Sequence, residues 1–159
     1  MAGTVRSTPG GTMLGDGFST KIAFANDSDV EFWERTVKPP GIDGGDPVDR
    51  TTMHNVTWRT MASRALRTLT NSSITAGYDP AVFDSIVSLI NVEQEITVHF
   101  PDGSILIFYG YLKSFEPNEH SEGALPEATI EIVPTNTNPT TGAESSPDYR
   151  SSATATATP

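Results

Sequence analysis

Residues 95–115, EITVHFPDGSILIFYGYLKSF, contain two apolar runs separated by Pro101, Asp102 and Gly103. Ile, Val, Thr, Phe and Tyr favour strands, and an Asp-Gly pair supplies the positive-φ residue of a tight turn. The stretch therefore predicts a β-hairpin, and it is the strongest hairpin signal in the chain. Its second strand is apolar or aromatic on both faces, which predicts a central strand or one that faces a neighbouring subunit.

Other strands are predicted on both sides of this hairpin. The segments FSTKIAFA (18–25), VEFWERTV (30–37) and ATIEIVP (128–134) alternate with the period of two that half-buried strands show. RALRTLT (64–70) and SSITAGY (72–78) predict a second hairpin around Asn71. A short helical turn in the first of these two segments is the alternative.

One helix is predicted between Asp79 and Asn91. Asp79 can accept hydrogen bonds from the first turn, Pro80 suits the first helical position, and Asn91 is a plausible stop. The predicted apolar stripe consists of Val82, Phe83, Ile86, Val87 and Ile90. A helix with seven or eight strands predicts a mainly β fold, either a β-sandwich or a partly open barrel, with one flanking helix that packs on the sheet.

The composition excludes several classes of protein. A formal net charge of −10 argues against gripping nucleic acid through its phosphates, which requires clustered Lys and Arg. The chain has no cysteine, so it has no disulfide, no thiolate zinc site and no cysteine nucleophile. Because we find neither a secretory signal nor an apolar run of membrane-spanning length, we expect a soluble cytosolic protein without membrane contact.

The charge is distributed unevenly along the chain. Six of the ten basic residues lie between positions 35 and 67, whereas residues 79–148 contain twelve acidic residues against one base, Lys113. Two interpretations remain open. The charges form two solvated faces, or the basic side of one copy meets the acidic side of another.

The sequence contains no strong pattern of catalytic or metal-ligating residues. The three histidines, His54, His99 and His120, lie far apart and favour surface or loop positions over a metal site. Three aspartates, Asp43, Asp46 and Asp49, raise a calcium alternative, but Asp beside Gly and Pro is ordinary turn chemistry. The chain has no nucleophile elbow and no glycine-rich phosphate loop. We therefore expect neither an enzyme nor a cofactor.

The segment KPPGIDGGDPVDRTTMHN (38–55) contains three prolines, three glycines and three aspartates. No continuous strand or helix fits that composition, and loops longer than about 12–15 residues are generally functional or disordered. This segment therefore predicts a functional loop. By contrast, residues 134–159 have only Tyr149 as a large apolar side chain, which predicts a solvated extension.

The chain resembles the major tail tube proteins of long-tailed, siphovirus-type bacteriophages over the segments 36–60, 64–70, AGYDPAVFDSIVSLINV (76–92), ITVHFPDGSILIFYGYLKSFEP (96–117) and 126–136. The run 39–55 is the most distinctive part of this resemblance. The resemblance implies a tail-tube β-sandwich domain over residues 18–138, a flexible arm over 1–17 and a low-complexity extension over 139–159. In that family, hexameric rings stack into the tube through which the genome leaves the capsid.

The resemblance also implies partners and a contact loop. The loop expected to reach an adjacent subunit or ring includes Pro39, Pro40, Gly41, Ile42, Asp43, Gly44, Gly45, Asp46 and Pro47. Further expected partners are the tape measure, terminator and baseplate or tip proteins, in the host cytoplasm during assembly and then in the virion tail. DNA would pass through the lumen without specific binding, since an acidic wall does not retain phosphates.

Two other functions fit the sequence. One is a monomeric β-sandwich module that binds a sugar or a protein through its loops and exposed tyrosines. The other is a different ring-forming component, such as a tail terminator or a tail-tube-like part of a contractile injection system.

Overall fold

The computed structural model describes residues 20–26 and 32–151, so the predicted arm 1–17 lies outside the described residues. The predicted strands 18–25 and 30–37 are described only in part. The elements in chain order are β1 (Lys21–Phe24), β2 (Trp33–Lys38), β3 (Ile42–Asp43), β4 (Val48–Asp49), β5 (Met61–Ala62), β6 (Thr68–Leu69), β7 (Ser72–Gly77), α1 (Pro80–Leu89), β8 (Gln94–His99), β9 (Ile105–Pro117), β10 (Glu127–Pro134) and β11 (Asp148–Arg150).

The main sheet has the strand order β1-β8-β9-β10-β7-β2, and β11 pairs with β9. All of these pairs are antiparallel. The sheet is open and not closed into a barrel. The prediction of a mainly β fold with one flanking helix is confirmed for the described part of the chain.

The two edges of this sheet approach each other without pairing. The Ile22 N–H donates to the Glu34 carboxylate at 3.1 Å, and the Phe24 ring meets the Phe32 ring edge-on at 5.9 Å. Because β1 and β2 stand at opposite ends of the strand order, these contacts require a strongly curled sheet. The curl gives the sheet one enclosed face and one outer face.

The enclosed face carries the hydrophobic core. Alternate residues of the central strands are almost fully buried, and they include Ile74, Ile96, Val98, Phe108, Leu112, Ile130 and Ile132. Gly110 of β9 is needed where two backbones approach closely, because a Cβ there would lie 2.7 Å from the Val133 carbonyl oxygen. The core thus depends on period-two alternation and on close contact between β9 and β10.

The hairpin predicted at residues 95–115 is confirmed. β8 and β9 pair from Gln94 opposite Gly110 to His99 opposite Ile105, and Gly103 in the turn has a φ of +89°. The Asp102 carboxylate accepts hydrogen bonds from the Ser104 hydroxyl at 2.6 Å and the Ser104 N–H at 2.9 Å. These bonds hold the pKa of Asp102 below its usual value and fix the turn.

The prediction that β9 is central is also confirmed, because it pairs with β8 on one edge and with β10 and β11 on the other. β10 covers residues 110–117 of β9, which leaves residues 105–107 for β11. The prediction that the C-terminal segment is a solvated extension is therefore wrong for Asp148–Arg150. A backbone ladder forms on an open strand edge without needing apolar side chains, and composition gives no sign of it.

The hairpin predicted around Asn71 is wrong. β6 pairs with β3, whereas β7 pairs with β2 and β10. One strand lies on each side of Asn71, but the partners of both strands are distant in the chain. Pairing partners of this kind are set by the tertiary fold and not by local propensity.

Helix α1 has the predicted start and stop. The Asp79 carboxylate accepts a hydrogen bond from the Ala81 N–H at 2.9 Å, and Asn91 leaves the helix with a φ of +63°. The Asn91 N–H then donates to the Leu112 carbonyl at 3.0 Å, which ties the end of the helix to β9.

The predicted apolar stripe of the helix is partly wrong. Its buried residues are Ile86 and Leu89, while Val87 is 56% exposed and Phe83 is 40% exposed. The helix face toward the sheet centres on Ile86, so Leu89, three residues later, is also buried. Val87 lies one residue away, about 100° around the helix axis, and remains at the surface.

We expect Ile86→Ala to lower the free energy of unfolding by about 2–5 kcal/mol, because it leaves a cavity against the sheet. Val87→Ala is the matched control on the exposed side, and its cost should stay below about 0.5 kcal/mol. Urea denaturation of both variants measures this. Equal losses would show that the helix face is assigned wrongly.

Candidate assembly surface

Residues 41–70 form a long two-armed ribbon that leaves the main sheet. The chain enters it after Lys38, at the end of β2, and returns to the sheet at Ser72, at the start of β7. Lys38 and Ser73 are cross-strand partners, so the ribbon projects from one end of the β2–β7 pair. Its two arms are joined by the short ladders Ile42 opposite Leu69 and Val48 opposite Ala62.

The base of the ribbon is anchored in the core. The Thr70 N–H donates to the Gly41 carbonyl at 2.8 Å, and the Gly41 N–H donates to the Thr70 hydroxyl at 2.8 Å. Leu69 is 5% exposed and belongs to the core cluster, and Pro40 is buried. The ribbon therefore starts from a fixed position on the subunit.

Polar side chains shape the two arms. The Asp43 carboxylate accepts a hydrogen bond from the Gly45 N–H at 2.9 Å, where the backbone turns with a φ of +79°. Arg64 of the opposite arm donates through Nε to the Asp46 carbonyl at 2.7 Å. Each of these bonds closes a bend or joins the arms, so the glycine-rich run has a defined path.

Asp49 has a similar local role. Hydrogen bonds from the Thr51 hydroxyl and N–H hold the pKa of the Asp49 carboxyl below its usual value, and Arg59 adds an ion pair at 3.2 Å. Within the described ranges, no three His, Asp or Glu side chains lie together so that they could hold a metal. The carboxylates of Asp43 and Asp49 are instead engaged in turns and pairing.

Asn55 organises the tip of the ribbon, residues 51–59. Its side-chain oxygen accepts a hydrogen bond from the Thr52 N–H at 2.8 Å, and its amide nitrogen donates to the Trp58 carbonyl at 2.8 Å. These bonds give the tip a fixed turn although it has no core of its own. Its conformation is therefore largely set before any partner binds.

The ribbon presents an unusual amount of apolar surface. It carries seven of the twelve exposed large apolar side chains of the described residues: Ile42, Val48, Met53, Val56, Trp58, Met61 and Leu66. Residues 50–67 also contain four arginines and no acidic residue. A large exposed apolar surface bordered by charge is typical of a protein interaction site.

A cleft of about 750 Å³ lies elsewhere, on the outer face of the sheet. The outward residues of β8 and β9 form its floor, including His99 and Tyr109, and β11 lies along one side. Two of its charged residues, Asp148 and Arg150, pair with each other at 2.9 Å. This open groove is where a small ligand would lie if the chain were a binding module.

The predicted contact residues Pro39 to Pro47 form the base and first arm of the ribbon. Gly41 and Ile42 lie in or beside β3, and Pro47 precedes β4. The second arm, residues 59–70, was not predicted, because RALRTLT (64–70) was paired with SSITAGY (72–78) in a hairpin. The run of arginines with apolar residues between 58 and 67 is the signal that could have revealed it. The contact role of these residues stays a prediction.

Among proteins of known structure, the chain is similar to components of tail-like particles. It matches a chain from the tail of the empty gene transfer agent particle, determined with C6 symmetry, with a TM-score of 0.62 at 14% identity over 87% of this chain and 100% of that one. A chain from the native gene transfer agent virion matches with a TM-score of 0.60 at 14% identity and the same coverage.

A chain from the six-fold symmetrised baseplate of the anti-feeding prophage matches with a TM-score of 0.58 at 6% identity, over 84% of this chain and 91% of that one. No protein-family model and no curated protein sequence matches the chain. At these identities the likeness shows the fold alone. The chain therefore has a phage-tail-type fold, as the resemblance implied.

Two leucines of the ribbon, Leu66 and Leu69, test where its anchored base ends, because the first is exposed and the second is buried. We expect Leu69→Ala to lower the free energy of unfolding by about 2–5 kcal/mol, because Leu69 is buried in the core. Leu66→Ala should cost less than about 0.5 kcal/mol, since this side chain is 82% exposed. Chemical denaturation of dilute protein compares them. A large loss from Leu66→Ala would show that the ribbon packs on its own subunit.

Proposed function

We propose that the chain is a structural subunit of a phage-type tail, which assembles as six-fold rings that stack into a tube. The exposed apolar ribbon carries this proposal, because it is ordered, anchored and without a covering element among the described residues. The fold supports it, since the similar chains come from a tail and a virion of the gene transfer agent and from a baseplate.

The geometry of the ribbon suits contact between identical copies. It projects from one end of the subunit, so it can reach a different patch on a neighbouring copy. Such heterologous contacts close into rings in one direction and repeat without closure in another. A stack of rings needs both kinds of contact, and the ribbon supplies one surface for them.

The acidic balance fits a channel for DNA. With a net charge of −10, a wall built from many copies would repel phosphates and let DNA pass without specific binding. In this proposal the role is structural and not catalytic, and the location is the virion tail after assembly in the host cytoplasm. The tape measure, terminator and baseplate or tip proteins would meet the ends of the tube.

A baseplate or terminator ring is the second candidate. The likeness to a baseplate chain favours it, with a TM-score of 0.58. The two candidates differ in how far assembly continues along the axis. Electron micrographs of purified protein that show only single or paired rings would favour the second candidate, whereas long tubes would favour the first.

Replacement of residues 43–68 by Asn-Gly tests the proposed function. Ile42 and Leu69 are cross-strand partners, and a two-residue Asn-Gly turn joins such a pair without strain. The buried Leu69 is retained. We expect a folded monomer whose circular dichroism spectrum keeps its β signature and which forms no rings or tubes in electron micrographs.

The matched control is Tyr149→Ala, which removes an aromatic side chain that is 63% exposed on β11. This control should assemble like the unmodified chain. Tubes from the ribbon-replaced protein would overturn the assembly role of the ribbon. An unfolded product would show that the ribbon stabilises the subunit itself.

A further inference from the structure

The end of the sheet opposite the ribbon carries a second exposed apolar surface. Trp33 and Gly77 are cross-strand partners at the far end of β2 and β7. Tyr78 and the start of α1 follow directly, and residues 118–126 connect β9 to β10 at the same end, where the Tyr78 N–H donates to the Pro126 carbonyl at 3.0 Å. We call this region the aromatic end, and its apolar residues are Trp33, Tyr78, Phe83, Phe115 and Leu125.

The aromatic end is packed but only partly covered. The Phe115 ring contacts those of Phe83 and Tyr78, with centroid distances of 5.7 and 6.3 Å. Within the aromatic end, Trp33 is 73% exposed, Leu125 is 63% exposed and Phe83 is 40% exposed. The result is a preformed apolar surface rather than a flexible one.

The charges at the two ends are opposite. Residues 116–127 contain four glutamates and no Lys or Arg, whereas residues 50–67 of the ribbon contain four arginines and no acidic residue. Glu127 is engaged with Arg35 in an ion pair, while Glu119 and Glu122 are exposed. The tip and second arm of the ribbon thus join apolar surface to positive charge, whereas the aromatic end joins apolar surface to negative charge. The three aspartates of the ribbon lie on its first arm, where Asp49 pairs with Arg59.

We propose that the ribbon of one copy docks on the aromatic end of the next copy, head to tail, along the axis of the assembly. This inference rests on the proposed function and names the partner surface of the ribbon. The two surfaces lie at opposite ends of one strand pair, so a copy does not dock on itself. The contact is heterologous, and it passes from copy to copy along the axis because each copy donates one ribbon and accepts another.

Charge selects a second copy as the occupant of the aromatic end. Its glutamates repel nucleic acid and acidic partners. They attract a surface that joins arginines to apolar side chains, and the chain itself carries that surface at its other end. The assembly is consequently polar: one of its ends exposes ribbons, and the other exposes aromatic ends.

Thiol cross-linking tests the contact, since the natural chain has no cysteine. One chain carries Val56→Cys at the ribbon tip and a second carries Leu125→Cys at the aromatic end, where the natural side chains are 97% and 63% exposed. We expect a short bismaleimide to link these two chains when they are mixed at high concentration. Tyr149→Cys replaces Leu125→Cys in the control mixture and should give at least tenfold less product.

Charge reversal makes the test specific. Arg50→Glu with Arg67→Glu in the Val56→Cys chain should lower the yield about tenfold, since attraction becomes repulsion. The side chains of both arginines take no part in the hydrogen bonds and ion pairs that shape the arms. Glu119→Lys with Glu122→Lys in the Leu125→Cys chain should then restore the yield. A loss without restoration, or equal linking to Tyr149→Cys, would overturn the proposal.

Electron microscopy of the unmodified chain separates this inference from the proposed function. Tubes or rings without a link between positions 56 and 125 would overturn the docking and leave the proposed function standing. A specific link without rings or tubes would support the docking and count against the proposed function. Absence of both would overturn both.

Discussion

The antiparallel pairing of β2 with β7 determines where the exposed surfaces of the subunit lie. One end of this pair holds Lys38 opposite Ser73, and the other holds Trp33 opposite Gly77. The intervening chain leaves at the first end as the ribbon, while the aromatic end forms at the second. Since both strands belong to the main sheet, neither surface shifts without disturbing the core.

The free energy gained by burying the ribbon, compared with the cost of association, explains how the ribbon can stay exposed in a single free copy. Burying a large apolar side chain contributes about 1.5–3 kcal/mol, so the seven exposed on the ribbon could together contribute on the order of 10 kcal/mol if all became buried. Association of two proteins costs about 4–15 kcal/mol in lost freedom. A single docked ribbon is thus marginal, and stable assembly requires several contacts per subunit. A free subunit can then persist until a ring or an initiating partner supplies them.

Strong local signals predicted the part of the fold that local chemistry controls. Asp102 and Gly103 located the central hairpin, and Asp79 with Pro80 located the start of the helix. The buried side of that helix was predicted only in part, because Leu89 is buried and Val87 is exposed. Tertiary contacts decide which side of the helix is buried, since its sequence contains two overlapping apolar patterns.

Long-range pairing was the main feature that the sequence did not reveal. β6 pairs with β3 across the ribbon, and β11 covers an edge of β9, although neither strand has a distinctive apolar pattern. The prolines and glycines of residues 39–47 correctly marked a segment without a long strand. They could not show that residues 59–70 form its second arm, which carries Met61 and Leu66 of the candidate surface.

In the proposed assembly, a neighbouring copy covers the ribbon. Hydrogen–deuterium exchange of assembled and monomeric protein, read by mass spectrometry on peptides spanning residues 51–60, measures whether it does. We expect at least roughly tenfold slower exchange in the assembly, because a docked tip opens to water less often. Unchanged exchange of this peptide in a fully assembled particle would contradict the proposed docking.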